Sequence, residues 1–369
     1  MSDYIKPFPG IKDPIDGHIH MHRWFDANSQ TDFLHGMEEY RKTCGLKYIA
    51  LAPLPSGNPT PVARDVSNNI ICAFYKLANE NTFSYGGLTY PSYPACPKEM
   101  EEKNMSLTEQ YKELMEIGFD GIKMLEGKPN LYKRVGHPLD SSFFEPLFEK
   151  MEKDGTYVLM HARDPKCFWL EATKERIEKH WYYGDGTYPT FEQMFSQVEG
   201  VLKRHPSLNL CLAHFFFSSE NPKMLEELLQ KYKNLKIDIT PGGEMYIDFD
   251  KRPEYFKEFF EKYDDRIIFG TDMDFPVYME AGKWLCDREF RFLATDETLS
   301  SFDNHKLTGI KISEKSLQKI FSSNLLGELG GEPKKINKEA LRRYIEKYDY
   351  LIIDRALSDK IKELSKIYL

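Results

Sequence analysis

Short apolar segments alternate along this chain with longer segments in which apolar residues recur every three or four positions. The first pattern predicts buried strands and the second predicts helices laid against a sheet. Their regular alternation is typical of β-α units that build a parallel sheet. Eight candidate strands are found, which is the number that a closed barrel requires: IDGHIHM, KYIALAP, FSYGGLT, DGIKML, TYVLMH, LNLCLAH, LKIDIT and RIIFGT.

The helical segments support the same architecture. Apolar residues recur three and four positions apart, as in a helix, in four segments: FFEPLFEKMEKDG, FEQMFSQVEGVLKRH, KMLEELLQKYK and PEYFKEFFEKY. The segment SEKSLQKIFSSNLL has the same spacing and begins with a serine that can cap an eighth helix. FSYGGLT is the weakest strand because two glycines stand in it. The alternative fold is an open doubly wound sheet, but DGHIH stands where a glycine-rich phosphate loop would be expected. We therefore predict an α/β fold of the (β/α)8 TIM-barrel type.

The length of 369 residues fits one barrel with insertions. We assign residues 1–333 to the barrel, because glycines and a proline end the eighth helix just before residue 334. Residues 334–369 are charged and helical in pattern, which predicts an extension that packs outside the barrel or forms an oligomer contact. We expect a homodimer.

Composition excludes several classes of partner. There are 50 Lys and Arg against 58 Asp and Glu, with no basic stripe for a phosphate backbone, so we expect no nucleic-acid partner. The six cysteines form no Cys-x-x-Cys pair, and the N-terminus lacks the features of a secretory signal. The longest apolar run, Leu208 to Phe217, is too short to span a bilayer. We expect a soluble cytoplasmic protein without a membrane partner.

Candidate metal ligands stand at the ends of predicted strands. His18 and His20 are two apart in the first strand and therefore project to one side. His161, His214 and Asp272 close three further strands, at the rim where barrel enzymes build their sites. Imidazole nitrogens with one carboxylate suit a borderline divalent ion, zinc first and manganese or iron as alternatives, and leave positions open for water and substrate. The pattern predicts a catalytic metal site.

At these positions the chain resembles the amidohydrolase superfamily, and within it amidohydrolase family 2. The resemblance covers most of the barrel and rests on the joint order of short motifs. These are Asp16-Gly17-His18-x-His20, Gly121-Ile122-Lys123, His161-Ala162-Arg163-Asp164-Pro165, Ala213-His214-Phe215, Phe269-Gly270-Thr271-Asp272 and Asn324.

The resemblance implies roles for these side chains. It implies that one ion is held by four ligands, namely His18, His20, His161 and Asp272. His214 is implied to be a further ligand or a catalytic acid and electrophile. Lys123 is open to two interpretations, since in some members a lysine here is carboxylated and bridges two ions. The other interpretation is an ammonium that pairs with a carboxylate or the substrate. We favour one ion.

Two side chains are candidates for contact with substrate. Arg163 lies two residues beyond His161, and its planar guanidinium could hold a substrate carboxylate. An ion pair with Asp164 or with a neighbouring rim residue is an equal alternative. Tyr246 lies on a predicted rim loop, where a solvated or structural role is favoured over contact with substrate. The aromatic segment Lys166 to Thr190 predicts a wall or lid, or a loop packed on the barrel. His22 and Glu244 are weaker candidates.

The leading functional hypothesis is a metal-dependent hydrolase of a small amide, ester or lactone. A metal-activated water would attack the carbonyl, with Asp272 and His214 as catalytic residues. The alternative is non-oxidative decarboxylation of a small aromatic or unsaturated carboxylic acid, because the resemblance includes both activities. A non-catalytic barrel that keeps its metal for shape is disfavoured, because Asp272 and open metal positions suit catalysis.

Overall fold

The structure is a computed structural model, and it describes residues 8–21, 33–54, 63–92, 94–241, 245–275, 279–300, 305–352 and 354–369. Nine parallel strands form its central sheet. They are β1 (Ile15–Met21), β2 (Tyr48–Pro53), β3 (Thr82–Gly87), β4 (Gly121–Gly127), β5 (Val158–Ala162), β6 (Leu210–Leu212), β7 (Lys236–Asp238), β8 (Ile267–Ile268) and β9 (Met273–Phe275). A separate antiparallel pair is formed by β10 (Thr298–Ser300) and β11 (Lys306–Thr308).

The sheet closes on itself through its last two strands. Its order is β8-β7-β6-β5-β4-β3-β2-β1-β9, so β8 and β9 lie at opposite ends although only four residues separate them. Within that gap Phe269 O accepts from Gly17 N at 3.1 Å, and Asp272 N donates to His18 O at 2.9 Å. One broken eighth strand therefore joins β7 to β1, which confirms the (β/α)8 barrel and excludes the open doubly wound sheet.

Helices surround the sheet. They are α1 (Phe33–Thr43), α2 (Ala63–Ala78), α3 (Pro97–Glu102), α4 (Leu107–Ile117), α5 (Pro129–Val135), α6 (Glu145–Asp154), α7 (Cys167–Leu170), α8 (Lys174–Glu178), α9 (Phe191–Arg204), α10 (Pro222–Lys231), α11 (Met245–Lys251), α12 (Pro253–Lys262), α13 (Met279–Ala294), α14 (Glu314–Gln318), α15 (Asn324–Leu329), α16 (Lys338–Tyr348) and α17 (Arg355–Tyr368). A π-helical turn, Lys319–Ser323, joins α14 to α15. Among the helices described, none is long and apolar enough to cross a membrane.

The local signals in the sequence explain these elements. Ser313 caps α14 by accepting from Ser316 N, and Gly155 ends α6 in the left-handed conformation. The doubtful third strand is confirmed. A Cβ on Gly86 would lie 2.8 Å from Leu114 Cδ1, so the glycine lets α4 pack closely on β3.

Two apolar layers hold the barrel together. Inside it, alternate strand residues such as Ile15, Ala50, Phe83 and Leu159 pack together with Leu325 from α15. Outside it, the other face of each strand packs against the helices in a larger cluster. The site therefore stands on strands that are buried on both faces.

The C-terminal helices pack on the outside of the barrel. α16 lies against α4 and α2, and α17 lies against α2. Tyr348 OH donates to Glu113 at 2.9 Å. Lys334 N donates to Asp120, a buried carboxylate that also pairs with Lys76 and accepts from Ser84 N. These contacts attach the extension to helices and strands β3 and β4.

Candidate metal centre

Three of the predicted ligands converge at the mouth of the barrel. β1 carries a register shift between Asp16 and Ile19, and His18, within the shift, faces the same side as His20, with their Nε2 atoms 3.2 Å apart. Asp272, in the break of the eighth strand, brings Oδ1 to 2.9 Å from His20 Nε2 and 3.7 Å from His18 Nε2. All three donor atoms lie within 4.8 Å of one another.

The tautomers of both histidines leave a lone pair facing this point. His18 Nδ1 lies 2.8 Å from Asp238 Oδ2, and His20 Nδ1 lies 3.1 Å from Ala52 O, so each Nδ1 carries the proton. Two lone pairs and a carboxylate oxygen then face one another, an arrangement that a cation would stabilise. Ligands about 2.0–2.1 Å from one ion stand roughly 3.0–3.4 Å apart, close to these separations. The donor set fits a divalent ion.

Asp238 orients two of the histidines from the end of β7. Its Oδ2 accepts from His18 Nδ1, and its Oδ1 accepts from His214 N at 2.7 Å and from the Thr240 hydroxyl. Burial raises the pKa of this carboxyl, and His214 and Thr240 act in the opposite direction. A carboxylate behind a ligand histidine fixes its tautomer and raises its basicity as a ligand.

Asp272 is held in place by a second carboxylate. Asp16 accepts from Thr271 N at 3.1 Å, from Thr271 Oγ1 at 2.7 Å and from Tyr40 OH at 2.8 Å. Burial raises the pKa of Asp16 to about 6, and these hydrogen bonds oppose that shift. They fix the backbone next to Asp272, whose own φ of 55° is unfavourable for a non-glycine residue.

His214 begins a turn of unusual conformation. Its φ is 56°, and Phe215, Phe216 and Phe217 follow with φ of 53°, 52° and 47°. Left-handed backbone costs about 1–2 kcal/mol per non-glycine residue. Four such residues in succession are therefore strongly unfavourable without contacts that stabilise them. The turn places the His214 ring 5.5 Å from that of His18 and 4.7 Å from that of His161. Its Nδ1 lies 3.2 Å from Thr240 O, which leaves Nε2 for the site.

His161 lies beside the cluster without joining it. Its Nε2 is 3.1 Å from Asp164 Oδ1, and Asp164 also accepts from Lys128 Nζ at 3.0 Å and from Tyr183 OH at 2.7 Å. Burial and the nearby Lys128 charge lower the pKa of His161 to about 3. Of the four implied ligands, His161 is therefore the one whose Nε2 is engaged elsewhere.

Lys123 reaches the cluster from β4. Its Nζ lies 2.9 Å from His18 Nε2, and the side chain is buried. Burial lowers its pKa to about 8, although Asp238 and Asp272 raise it. A cavity beside Lys123 is lined by Pro53, Leu88 and Glu126 among others. Glu126 accepts from Tyr90 OH at 2.8 Å through Oε1, while its buried Oε2 has no hydrogen-bond partner among the residues described.

The two predicted substrate contacts are engaged inside the protein. Arg163 is 2% exposed, and its Nη2 donates to Phe216 O and to Ser218 Oγ. Among the described residues it makes no ion pair with Asp164 or with another carboxylate, so the ion pair of the alternative interpretation is not formed there. The Tyr246 hydroxyl donates to Ile239 O at 3.2 Å. Both positions that were expected to meet substrate are occupied by protein contacts.

The aromatic segment after β5 packs largely on itself. Trp169 and Tyr183 lie 5.0 Å apart, and Tyr183 and Tyr188 lie 4.8 Å apart, between ring centroids. Trp169 Nε1 donates to Pro189 O at 2.8 Å. Through the Tyr183 hydroxyl the segment reaches Asp164 and so lies next to His161. His22 and Glu244 lie outside the described residues.

Sequence reasoning missed the supporting carboxylates. Asp238 stands in the apolar segment LKIDIT and Glu126 at the end of GIKMLEG. Because a buried carboxylate is costly unless it is paired, an acidic residue near the end of a buried strand was an available signal. Asp164 was considered only as a partner for Arg163. Position on the rim pointed to the candidate ligands His18, His20 and Asp272, but the carboxylates that support them come from other strands.

The fold and the site together define a parallel α/β barrel with a His-His-Asp donor group at the carboxyl ends of its strands. The profile of the amidohydrolase family, Amidohydro_2, matches residues 94–324, which is more than half of the chain. The chain belongs to this amidohydrolase family. No curated protein sequence is significantly similar to it.

Solved structures share the fold. A 2,6-dihydroxybenzoate decarboxylase from Rhizobium superposes with a TM-score of 0.52 at 14% identity, over 87% of this chain and 99% of that one. A 5-carboxyvanillate decarboxylase from Novosphingobium aromaticivorans with bound manganese gives 0.54 at 12%, over 87% and 98%. A putative amidohydrolase from Staphylococcus aureus gives 0.52 at 16%, over 86% and 99%. At these identities they establish the fold alone.

Proposed function

We propose that the chain is a metal-dependent decarboxylase of a small aromatic or unsaturated carboxylic acid. The observation that carries the proposal is the convergence of His18, His20 and Asp272 beside His214 and Lys123. Hydrolysis came first from the sequence. Decarboxylation takes precedence here because solved structures of this fold include a 2,6-dihydroxybenzoate decarboxylase and a 5-carboxyvanillate decarboxylase, the latter with bound manganese.

A divalent ion held by His18, His20 and Asp272 would bind the substrate carboxylate and stabilise the negative charge that develops in the reaction. The Lys123 ammonium lies where it can orient the same carboxylate. His214, whose Nδ1 donates to Thr240 O, would act as the imidazolium, with a second proton at Nε2 that it delivers to the carbon, and would regain that proton from water after turnover. As the carbon–carboxylate bond breaks, its electron pair stays on that carbon, which takes the proton while carbon dioxide leaves.

Hydrolysis of a small amide, ester or lactone is the second candidate, and Lys123 favours it. Its Nζ is 2.9 Å from a ligand nitrogen, and its lowered pKa of about 8 provides neutral amine, the form that takes up carbon dioxide. A carboxylated Lys123 could hold a second ion. Asp272 would then accept the proton of the attacking water.

The test combines metal content with turnover. The full chain, prepared without chelator and loaded with Zn²⁺ or Mn²⁺, is assayed for carbon dioxide release from 2,6-dihydroxybenzoate, 5-carboxyvanillate and related acids, and for hydrolysis of simple amides, esters and lactones. One ion per chain and carbon dioxide release support decarboxylation. Two ions and hydrolysis support the second candidate. Asp272→Asn should abolish either activity, and near wild-type turnover in that variant would refute its role.

Three further proposals accompany this function. We propose that residues 334–369 form an extension separate from the catalytic barrel, that the protein is a homodimer, and that it is cytoplasmic. Size-exclusion chromatography with light scattering tests the dimer, and expression of residues 1–333 tests the boundary. Zinc remains the first choice of ion, with manganese and iron as alternatives to be separated by elemental analysis.

A further inference from the structure

The left-handed turn His214–Phe217 has no glycine to relieve it. All four residues have φ between 47° and 56°, a region that L-residues with a Cβ seldom adopt even singly. Inside the turn Phe216 N donates to Ala213 O at 3.0 Å, and Ser218 N donates to Phe215 O at 3.2 Å. Backbone hydrogen bonds of this kind are little support for four strained residues. Contacts from outside the turn must hold this conformation.

Arg163 supplies such contacts from the end of β5. Its Nη2 donates to Phe216 O and to Ser218 Oγ, the latter at 2.8 Å. Its guanidinium carbon lies 3.9 Å from the centroid of the Phe216 ring and 4.2 Å from that of Phe191. The guanidinium therefore bonds the turn's backbone and stacks on one of its side chains at the same time.

The burial of this guanidinium needs a reason. Arg163 is 2% exposed and has no ion-paired carboxylate among the residues described, and its Nε has no hydrogen-bond partner. Glu192 is near enough to raise its pKa but does not pair with it. A buried cation without a counter-ion is costly. Its hydrogen bonds go to Phe216 in the turn and to Ser218 directly after it, and rings of the turn and of α9 stack on it.

The opposite side of the turn is held by β7. His214 N donates to Asp238 Oδ1, and the His214 ring meets Thr240. Arg163 holds the other end at Phe216 and Ser218. The turn is thus fixed at both ends. The His214 ring, at its first end, is directed at the rings of His18 and His161.

We propose that Arg163 is a positioning residue that keeps the turn left-handed and so holds the His214 imidazole at the metal centre. This assignment replaces its expected role as an anchor for a substrate carboxylate. Its consequence for turnover rests on the proposed function, in which His214 delivers a proton, whereas its consequence for the backbone does not.

The decisive measurement is amide hydrogen exchange in the full chain without substrate. Arg163→Met keeps a long side chain and removes every donor, and we expect the Phe216 and Ser218 amides to exchange at least tenfold faster. Arg163→Lys keeps the charge and N–H donors without the planar fork, so its exchange rates for these two amides should lie between those of wild type and Arg163→Met. The control is Arg176→Met, which removes a guanidinium stacked on Phe168 in the neighbouring segment and should leave both amides unchanged.

Turnover supplies the second readout. With metal content unchanged, Arg163→Met should lower kcat at least tenfold with KM within about twofold, and added guanidinium should restore part of kcat. A purely structural role would lower the amount of folded enzyme and would not be rescued by guanidinium.

The outcomes separate the two proposals. Unchanged exchange of both amides in folded Arg163→Met overturns the positioning role, whatever the enzyme does. Faster exchange in a protein that turns over none of the acids supports the positioning role and counts against the proposed function alone. If Arg163→Met does not fold, Ser218→Ala removes one of the same hydrogen bonds and carries the comparison with Arg163→Lys.

Discussion

Asp238→Asn tests whether the metal centre depends on the carboxylate behind it. Asp238 accepts from His18 Nδ1 at 2.8 Å and from His214 N at 2.7 Å. An asparagine of the same shape can keep only one of these acceptors. If its amide nitrogen faces His18, it donates to Nδ1 and forces the proton onto Nε2, the atom that has to bind the ion. We therefore expect a folded protein with a weakened metal site.

The magnitude follows from the lost hydrogen bond. Hydrogen bonds to charged groups contribute about 1.5–3 kcal/mol, and loss of a partner behind a ligand typically costs about 10–100-fold in metal affinity. That range equals about 1.4–2.7 kcal/mol of binding free energy. Zn²⁺ and Mn²⁺ dissociation constants, measured by competition with a chelating indicator, give the comparison. Asp248→Asn is the matched control, because Asp248, on α11, is a buried carboxylate that accepts a hydrogen bond from Ser219 Oγ outside the candidate metal centre.

A metal affinity within twofold of wild type in folded Asp238→Asn would refute this reasoning. Equal losses in Asp238→Asn and Asp248→Asn would also refute it, since the effect would then reflect general destabilisation. Circular dichroism and thermal unfolding of both variants show whether the fold is retained.

Three other predictions concern stability and the site. Glu289 is buried, burial raises its pKa well above the ordinary value of 4.5, and a hydrogen bond with Tyr246 opposes that shift. The folded protein keeps a proton that the unfolded chain loses, so stability falls as pH rises above about 4.5. In urea unfolding, Glu289→Gln should raise the free energy of unfolding over wild type by more at pH 8 than at pH 5. The control Glu280→Gln, at an exposed position, should show no such pH-dependent difference from wild type. A difference between Glu289→Gln and wild type that is the same at both pH values would contradict this. Gly270→Ala would place a Cβ 2.6 Å from that of His18, so it should lower the free energy of unfolding by about 1–3 kcal/mol and weaken metal binding. An unchanged free energy of unfolding with an unchanged metal affinity would argue against this. An ion present at 100 times its Kd stabilises the folded protein by about 2.7 kcal/mol, so chelation should lower the melting temperature and readdition of the ion should restore it. A melting temperature unaffected by chelator would speak against a bound ion.

The fold was predictable because its signals are local and repeated. Each strand is an apolar segment followed by a helical period, so even FSYGGLT, with its two glycines, was placed correctly as β3. The alternation of side chains along β1 put His18 and His20 on one face. Asp272 closed the last apolar segment and lies with them. Position along regular elements therefore carried most of the site.

The remainder depended on contacts between distant parts of the chain. Whether Arg163 faces substrate or Phe216 is decided by a left-handed turn that no single residue in HFFF indicates, since phenylalanine gives no preference for it. The orientation of His161 depends on Asp164, which is shared with Lys128 and Tyr183. Local patterns cannot rank such competing partners.

The donor group also spans the seam at which the barrel closes. His18 and His20 come from the first strand and Asp272 from the break in the last, and neighbouring Asp16 and Thr271 are 255 positions apart in the chain. A contact that closes a loop of that length is among the slowest to form, because the chain loses the entropy of loop closure before the contact can stabilise it. An ion bound here would act as a removable cross-link between the first and last strands. Metal occupancy would then control the lifetime of the folded protein, with unfolding faster whenever the ion is lost.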